Sequence, residues 1–127
     1  MSYGYHLVSN IGACNPKKIR CVQTIAFFSK TLIHKTNMTP RGEPWIVHAK
    51  AGYTLVQINE TSNISAHFVE NTNDAYLDIF STKPFDKHLV SAIFYAYFQP
   101  KNERTIILRR NVEVKNELSL DNPVLLK

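Results

Sequence analysis

The chain has 127 residues, of which 44% are hydrophobic and 20% charged, with a formal net charge of +5. That length and balance describe one folded domain with its own core, and no run of about 18 apolar residues offers a membrane span. The basic surplus does not make a nucleic-acid protein: Lys17, Lys18, Arg20, Arg109 and Arg110 belong to different elements, with no helix-turn-helix or aromatic RNA-binding motif beside them.

Residues 4–9 read as a first strand. Asn15 followed by Pro16 is a helix start, an Asn cap and then a proline whose missing N–H costs nothing. Ile19, Val22, Ala26, Ser29 and Ile33 then recur at three- and four-residue steps, which predicts one amphipathic helix ending near Lys35 to Asn37. Thr39-Pro40-Arg41-Gly42 marks a loop. Residues 45–50 predict a strand, Ala51-Gly52 a tight turn, and residues 53–59 a strand half facing a core. Ser62 to Val69 makes another, residues 71–74 a turn, and Ala75 to Ser81 a fourth in the series. Lys83-Pro84-Phe85-Asp86 opens a second helix whose Leu89, Ile93, Phe94, Tyr97 and Phe98 cover one face. Gln99-Pro100-Lys101-Asn102 stops it, and Arg104 to Arg109 is a last strand. This order predicts an α+β two-layer sandwich, with an antiparallel sheet covered on one face by two helices. The domain is expected over residues 1–111, with 112–127 as a C-terminal tail or edge extension.

Cys14 and Cys21 make neither a disulfide framework nor a zinc signature, so both read as reduced thiols, with Cys21 on the first helix. The five histidines are scattered without ligand spacing, and no metal site is expected. The triplets at Asn37, Asn59 and Asn63 match a glycosylation acceptor but carry meaning only in a secreted chain. No charged start leads into an apolar stretch, and the expected location is cytoplasmic. Residues 51–82 contain no Lys or Arg yet carry Glu60, Glu70, Asp74 and Asp78. A locally acidic centre suits a cationic small ligand; acids on solvent faces of strands give the same pattern.

Thr61-Ser62-Asn63-Ile64-Ser65-Ala66-His67-Phe68 holds the most chemistry. Ser62 puts a hydroxyl next to the peptide bond before it, and His67 lies five residues on. At an odd offset the two face apart in a flat strand, so cooperation between them needs a bend or bulge. Without one, they are two polar positions in an alternating strand. His6 and His48 read as satisfied strand histidines, and Asp78 as a group that holds a turn or an interface pair. Phe68 and Phe85 have the faces to stack an adenine or meet a sulfonium, or they pack the core.

The stretch from Thr61 to Asn71, then Ala75-Tyr76-Leu77-Asp78-Ile79-Phe80-Ser81-Thr82-Lys83, resembles the prokaryotic S-adenosylmethionine decarboxylase family without a gap. That family reads Glu-Ser-His-Ile-Ser-Ile-His-Thr-Trp-Pro-Glu and then Ala-Ala-(Ile/Val)-Asp-(Ile/Val)-Phe-Thr-Cys-Gly. Tyr5-His6-Leu7-Val8 is similar to its opening, and Cys14-Asn15 comes soon after. Gly52-Tyr53-Thr54 stands where the family has Gly-Val-Ser. The resemblance covers roughly residues 3 to 111, and it is strongest to a divergent branch with a Glu-Thr-Ser-Asn-Ile core.

The resemblance implies the same two-layer architecture and a proenzyme that cuts its own backbone between Thr61 and Ser62, giving chains 1–61 and 62–127. Ser62 then becomes a pyruvoyl group, whose ketone takes the substrate amine as a Schiff base and withdraws electrons as carbon dioxide leaves. Thr54 and His67 match the hydroxyl and the imidazole that assist processing. Glu70 is the carboxylate left, in a shifted position, from the family's Trp-Pro-Glu substrate wall, and Phe68 is the aromatic candidate beside it. Thr82 replaces the cysteine that reprotonates the decarboxylated carbon, and Asn63 replaces a histidine. The implied substrate is S-adenosylmethionine or a similar cationic small molecule, the pathway spermidine synthesis, and the assembly a homodimer with sites near the subunit contact. Two other readings remain open: an uncleaved binding or regulatory homologue, and an enzyme of altered substrate or chemistry.

Overall fold

Six strands and three helices fill residues 2–112, the span that this computed structural model describes. In chain order they are β1 (Gly4–Gly12), α1 (Pro16–Ile19), α2 (Val22–Lys35), β2 (Trp45–His48), β3 (Tyr53–Asn59), β4 (Ser62–Val69), β5 (Asp74–Ser81), α3 (Lys87–Phe98) and β6 (Asn102–Arg110). Except for Val112, the segment expected as a tail lies outside the described residues.

The strands form one antiparallel sheet in the order β2-β3-β4-β5-β1-β6. Its middle is a meander of β3, β4 and β5, and β1 inserts between β5 and β6. Side-chain alternation gives the sheet two unlike faces. Leu7, Leu55, Ile64, Leu77 and Ile79 turn inward and are at most 1% exposed. The helices cover that face. Phe28 of α2 meets Phe94 and Phe98 of α3, and Phe98 in turn meets Phe68 of β4 at 5.1 Å between ring centres. The class is α+β, as the element order predicts.

Two helix expectations need correction. The first helix is broken at Arg20 and Cys21, and Cys21 is the extended N-cap of α2 rather than a helical residue. The break resets the helical phase from Val22 onward. α2 buries Ile25, Phe28, Ser29, Leu32 and Ile33, while Val22 is 38% exposed. The cause is non-local: Arg20 donates from Nη1 to the Pro16 carbonyl and to Asn73 Oδ1, and from Nη2 to the Glu70 carbonyl. Those bonds tie the joint to the β4–β5 turn. The last helix begins at Lys87, not at Lys83, because the Asp86 carboxylate accepts the His88 N–H at 2.9 Å and caps it there.

The β2–β3 turn depends on one glycine. Gly52 has φ +146, and a Cβ built there would stand 2.1 Å from the Phe68 carbonyl oxygen. Only glycine lets β3 and β4 approach at this end. The opposite end of the same two strands carries the candidate site.

Candidate active site

Ser62 begins β4 directly after a two-residue turn, Glu60-Thr61, that joins it to β3. The turn requires a left-handed residue, and Thr61 supplies it with φ 54. A β-branched side chain in that region costs about 1–2 kcal/mol. The peptide bond between Thr61 and Ser62 therefore comes directly after a strained residue.

Across the sheet, Ser62 pairs with Ser81, the last residue of β5. Thr82 lies against Thr61: its N–H donates to the Thr61 carbonyl at 3.3 Å, and its Oγ1 donates to Thr61 Oγ1 at 2.9 Å. The carbonyl that a Ser62 nucleophile would attack thus already holds a backbone donor. Ser62 is 7% exposed, and its Oγ has no hydrogen-bond partner among the described residues. It lines a cavity of about 180 Å³ with Met38, Thr39, Glu60, Ser81 and Lys83. The segment after α2 closes one side, held to β3 by the Glu60 N–H on the Thr39 carbonyl and the Arg41 N–H on the Ile58 carbonyl. Glu60 also pairs with Arg41 at 3.1 Å. Glu60 and Lys83 are the ionisable side chains of this cavity.

The other expected residues lie elsewhere. Thr54 and His67 are direct cross-strand partners and share a hydrogen bond of 3.1 Å between Oγ1 and Nδ1. They sit on the face of the sheet that no described helix covers. β4 runs from Ser62 to Val69 without a bulge on either side, so Ser62 points toward the helices and His67 away from them. Five residues of extended strand separate the two by roughly 17 Å. The structure joins Thr54 to His67, and it joins Thr61 and Ser62 to Ser81 and Thr82. It does not join these two groups within one chain.

Glu70 lies beyond the far end of β4 and pairs with His48 at 2.9 Å, with the His48 ring set edge-on against Tyr53. Phe68 is 1% exposed and packs in the core, and Phe85 packs against that core from its margin. The acidic residues of segment 51–82 do not gather into one centre. Glu60 faces Arg41, Glu70 faces His48, Asp74 accepts the Ala13 N–H, and Asp78 pairs with His6 at 3.0 Å. Hairpin geometry disperses them, since turns at opposite ends of β4 carry Glu60 and Glu70. Among the described residues no cluster of His, Cys, Asp and Glu could hold a metal ion.

Sequence reasoning missed Ser81, Met38, Thr39 and Lys83 as neighbours of Ser62. Ser81 was accessible in principle, because the β4–β5 turn sets the register that places it opposite Ser62. Met38 and Thr39 arrive through the packing of α2, for which no local signal exists.

The fold and site together define a small α+β two-layer sandwich in which a buried serine hydroxyl, without a partner among the described residues, follows a hairpin residue at positive φ. The family model for S-adenosylmethionine decarboxylase matches residues 5–111. The chain belongs to that family. Its fold is similar to the crystal structure of the adenosylmethionine decarboxylase from Aquifex aeolicus VF5, with a TM-score of 0.73 and 16% identity over 87% of this chain and 92% of that one. At that identity the likeness speaks for the fold alone. No curated protein matches the chain by sequence. Among the described residues no helix is long and apolar enough to cross a membrane.

Proposed function

We propose that this protein is a self-processing decarboxylase of S-adenosylmethionine that cuts itself between Thr61 and Ser62 and serves spermidine synthesis. The observation that carries this reading is the Ser62 hydroxyl, buried without a partner among the described residues and next in the chain to a carbonyl that accepts the Thr82 N–H. An unmade hydrogen bond at a buried hydroxyl costs roughly 1–3 kcal/mol, and an oxygen free of competing donors is available for attack.

In the first step, Ser62 Oγ bonds to the Thr61 carbonyl carbon and the Thr61–Ser62 C–N bond breaks. The hydroxyl proton passes to the departing nitrogen, leaving an ester on Oγ and a free amine. Negative charge develops on the Thr61 carbonyl oxygen during the attack, where the Thr82 N–H is already placed to stabilise it. Strain at Thr61 raises the starting state in the same direction. In this reading Glu60, which lines the same cavity and is paired with Arg41, takes and returns the proton after turning from Arg41 to Ser62 Oγ. Loss of the Ser62 Cα proton then expels the Thr61 carboxylate from Cβ, and hydrolysis releases ammonia to leave the pyruvoyl group at residue 62.

That group, once formed, supplies the electron sink for decarboxylation. Around it this chain provides the cavity walls and, at Thr82, a hydroxyl 2.9 Å from the Thr61 side chain. The Thr54–His67 pair lies on the uncovered face, and a second copy stacked there would enclose it. A homodimer is therefore part of this reading.

One observation favours a second reading, an uncleaved homologue that binds S-adenosylmethionine or regulates an active partner. His67, the expected acid–base group, faces away from Ser62 on a strand without a bulge. The intact mass of the denatured, purified chain separates the two. Self-processing gives fragments 1–61 and 62–127, the second with a blocked N-terminus, and Ser62→Ala gives a single full-length chain. A wild-type protein that stays whole would remove the electron sink and leave the binding reading.

A further inference from the structure

We infer that Lys83 takes part in self-processing: its ammonium receives the Thr61 carboxylate as that group leaves Ser62 Cβ. This role rests on the self-processing reading and belongs to its elimination step. Once the acyl shift has made the ester, Ser62 Cα gives up its proton to Glu60, the base of that reading. The electron pair left behind forms the Cα–Cβ double bond, and the Cβ–Oγ bond breaks. Oγ departs with the bonding pair, so that Thr61 ends as a carboxylate. A full negative charge arises where a neutral ester stood. A cation beside it therefore stabilises the transition state more than the ester.

The fold puts Lys83 at that place. Lys83, Thr61 and Ser62 line the same cavity of about 180 Å³. The preceding residue, Thr82, donates its N–H to the Thr61 carbonyl oxygen at 3.3 Å. Residue 83 is thus one step along the chain from the group that becomes charged. The Lys83 N–H donates to Ser81 Oγ at 3.1 Å, which turns the chain just after β5 and holds residue 83 at the cavity.

The charges around the cavity leave this task to Lys83. Arg41 does not line it, and in the resting chain its guanidinium is paired with Glu60 at 3.1 Å. Among the described residues Lys83 makes no ion pair of its own. Its counter-ion appears only when the Cβ–Oγ bond breaks. The flexible side chain then brings three N–H donors to the new carboxylate.

The test follows the full-length chain made by cell-free synthesis, sampled over time and quenched with or without hydroxylamine before its intact mass is measured. Hydroxylamine cuts an ester, so a trapped ester yields 1–61 as its hydroxamate and 62–127 beginning with serine rather than a pyruvoyl group. Lys83→Met should slow formation of the pyruvoyl fragment about tenfold and let the hydroxylamine-sensitive chain accumulate. The loss stays below the roughly hundredfold cost of a missing oxyanion-hole donor, because Lys83 is exposed and water screens its charge. Lys83→Arg keeps the cation and should restore elimination, whereas a merely structural loss at this corner would leave no ester to trap. A Lys83→Met chain that matches the wild-type rate, or that slows without building up ester, would overturn the role of Lys83 and leave self-processing intact. A wild-type chain that stays whole under both quenches would remove self-processing itself, and the role of Lys83 with it.

Discussion

In the proposed decarboxylation, Thr82 stands where reprotonation of the carbanion calls for an acid. A hydroxyl is a far weaker acid than an ordinary thiol, whose pKa lies near 8.5, so the step after loss of carbon dioxide is expected to be the slow one. Thr82→Cys keeps the backbone N–H on the Thr61 carbonyl and supplies the missing acid. Released carbon dioxide should rise roughly tenfold or more, within the range that a positioned acid contributes, with chain cleavage unchanged. No rise would take residue 82 out of the proton path. The native cysteines show how position alone sets acidity. Burial, and secondarily the nearby Asp74, push the Cys14 thiol up to about 11. Hydrogen bonds, above all with the Thr24 side chain, pull the Cys21 thiol down. An unfolded chain releases the Cys14 proton near pH 9, while the folded one keeps it until about 11. Stability is therefore unaffected below pH 9 and falls as pH climbs to 11, by at most about 3 kcal/mol. Urea unfolding at pH 8 and 10.5 should show this loss in the wild type and not in Cys14→Ala.

At the level of elements, one end of β4 is a structural lock and the other carries the proposed chemistry. At one end the β2–β3 turn is locked by Gly52, whose missing Cβ leaves room for the Phe68 carbonyl. Gly52→Ala has no flexible neighbour to push aside, because the obstacle is backbone. The cost should reach at least about 2 kcal/mol, read as a fall in melting temperature of roughly 10 °C. Measured on Ser62→Ala protein, the shift is free of any contribution from cleavage, and an unchanged melting temperature would contradict the close approach. At the other end the chain tolerates Thr61 at positive φ, a local conflict that it also carries at Ala13 and Gln99. These features also explain what the sequence could and could not reveal. The Thr54–His67 pairing is legible, since both residues are equally distant from the Glu60-Thr61 turn. The opposed facing of Ser62 and His67 comes from strand alternation alone. The break at Arg20 is not legible, because its guanidinium is anchored by residues 50 and 53 positions away. The cavity around Ser62 is hidden for the same reason, since Met38 and Lys83 reach it from separate connections.

On the scale of the whole sheet, helices cover one face and, among the described residues, the other is bare. That bare face carries Trp45 at 71% exposure, Ile58 at 62%, and Tyr76 and Ile106 at 45% each. These side chains on β2, β3, β5 and β6 share one face of the sheet, and exposed apolar patches mark interaction surfaces. The same face holds the Thr54–His67 and His6–Asp78 pairs, both partly or largely solvated in the single chain. A twofold copy is the proposed occupant, since stacking sheet on sheet would bury these residues at the usual spacing of about 10 Å. It would also bring a second Thr54–His67 pair against each protomer, on the face of the sheet opposite to the Ser62 hydroxyl. Ile58 tests this assembly because it lies on the bare face beside the Ser62 hairpin and contributes nothing to the core. Ile58→Asp would bury an unpaired carboxylate in each half of a dimer, at a cost of several kcal/mol. Sedimentation equilibrium at micromolar concentration should find the wild type dimeric and the variant monomeric, with circular dichroism unchanged. Because the Ser62 hydroxyl faces the helices, away from this interface, the monomeric variant should still give fragments 1–61 and 62–127. A wild-type protein that is monomeric at micromolar concentration would refute the stacked assembly.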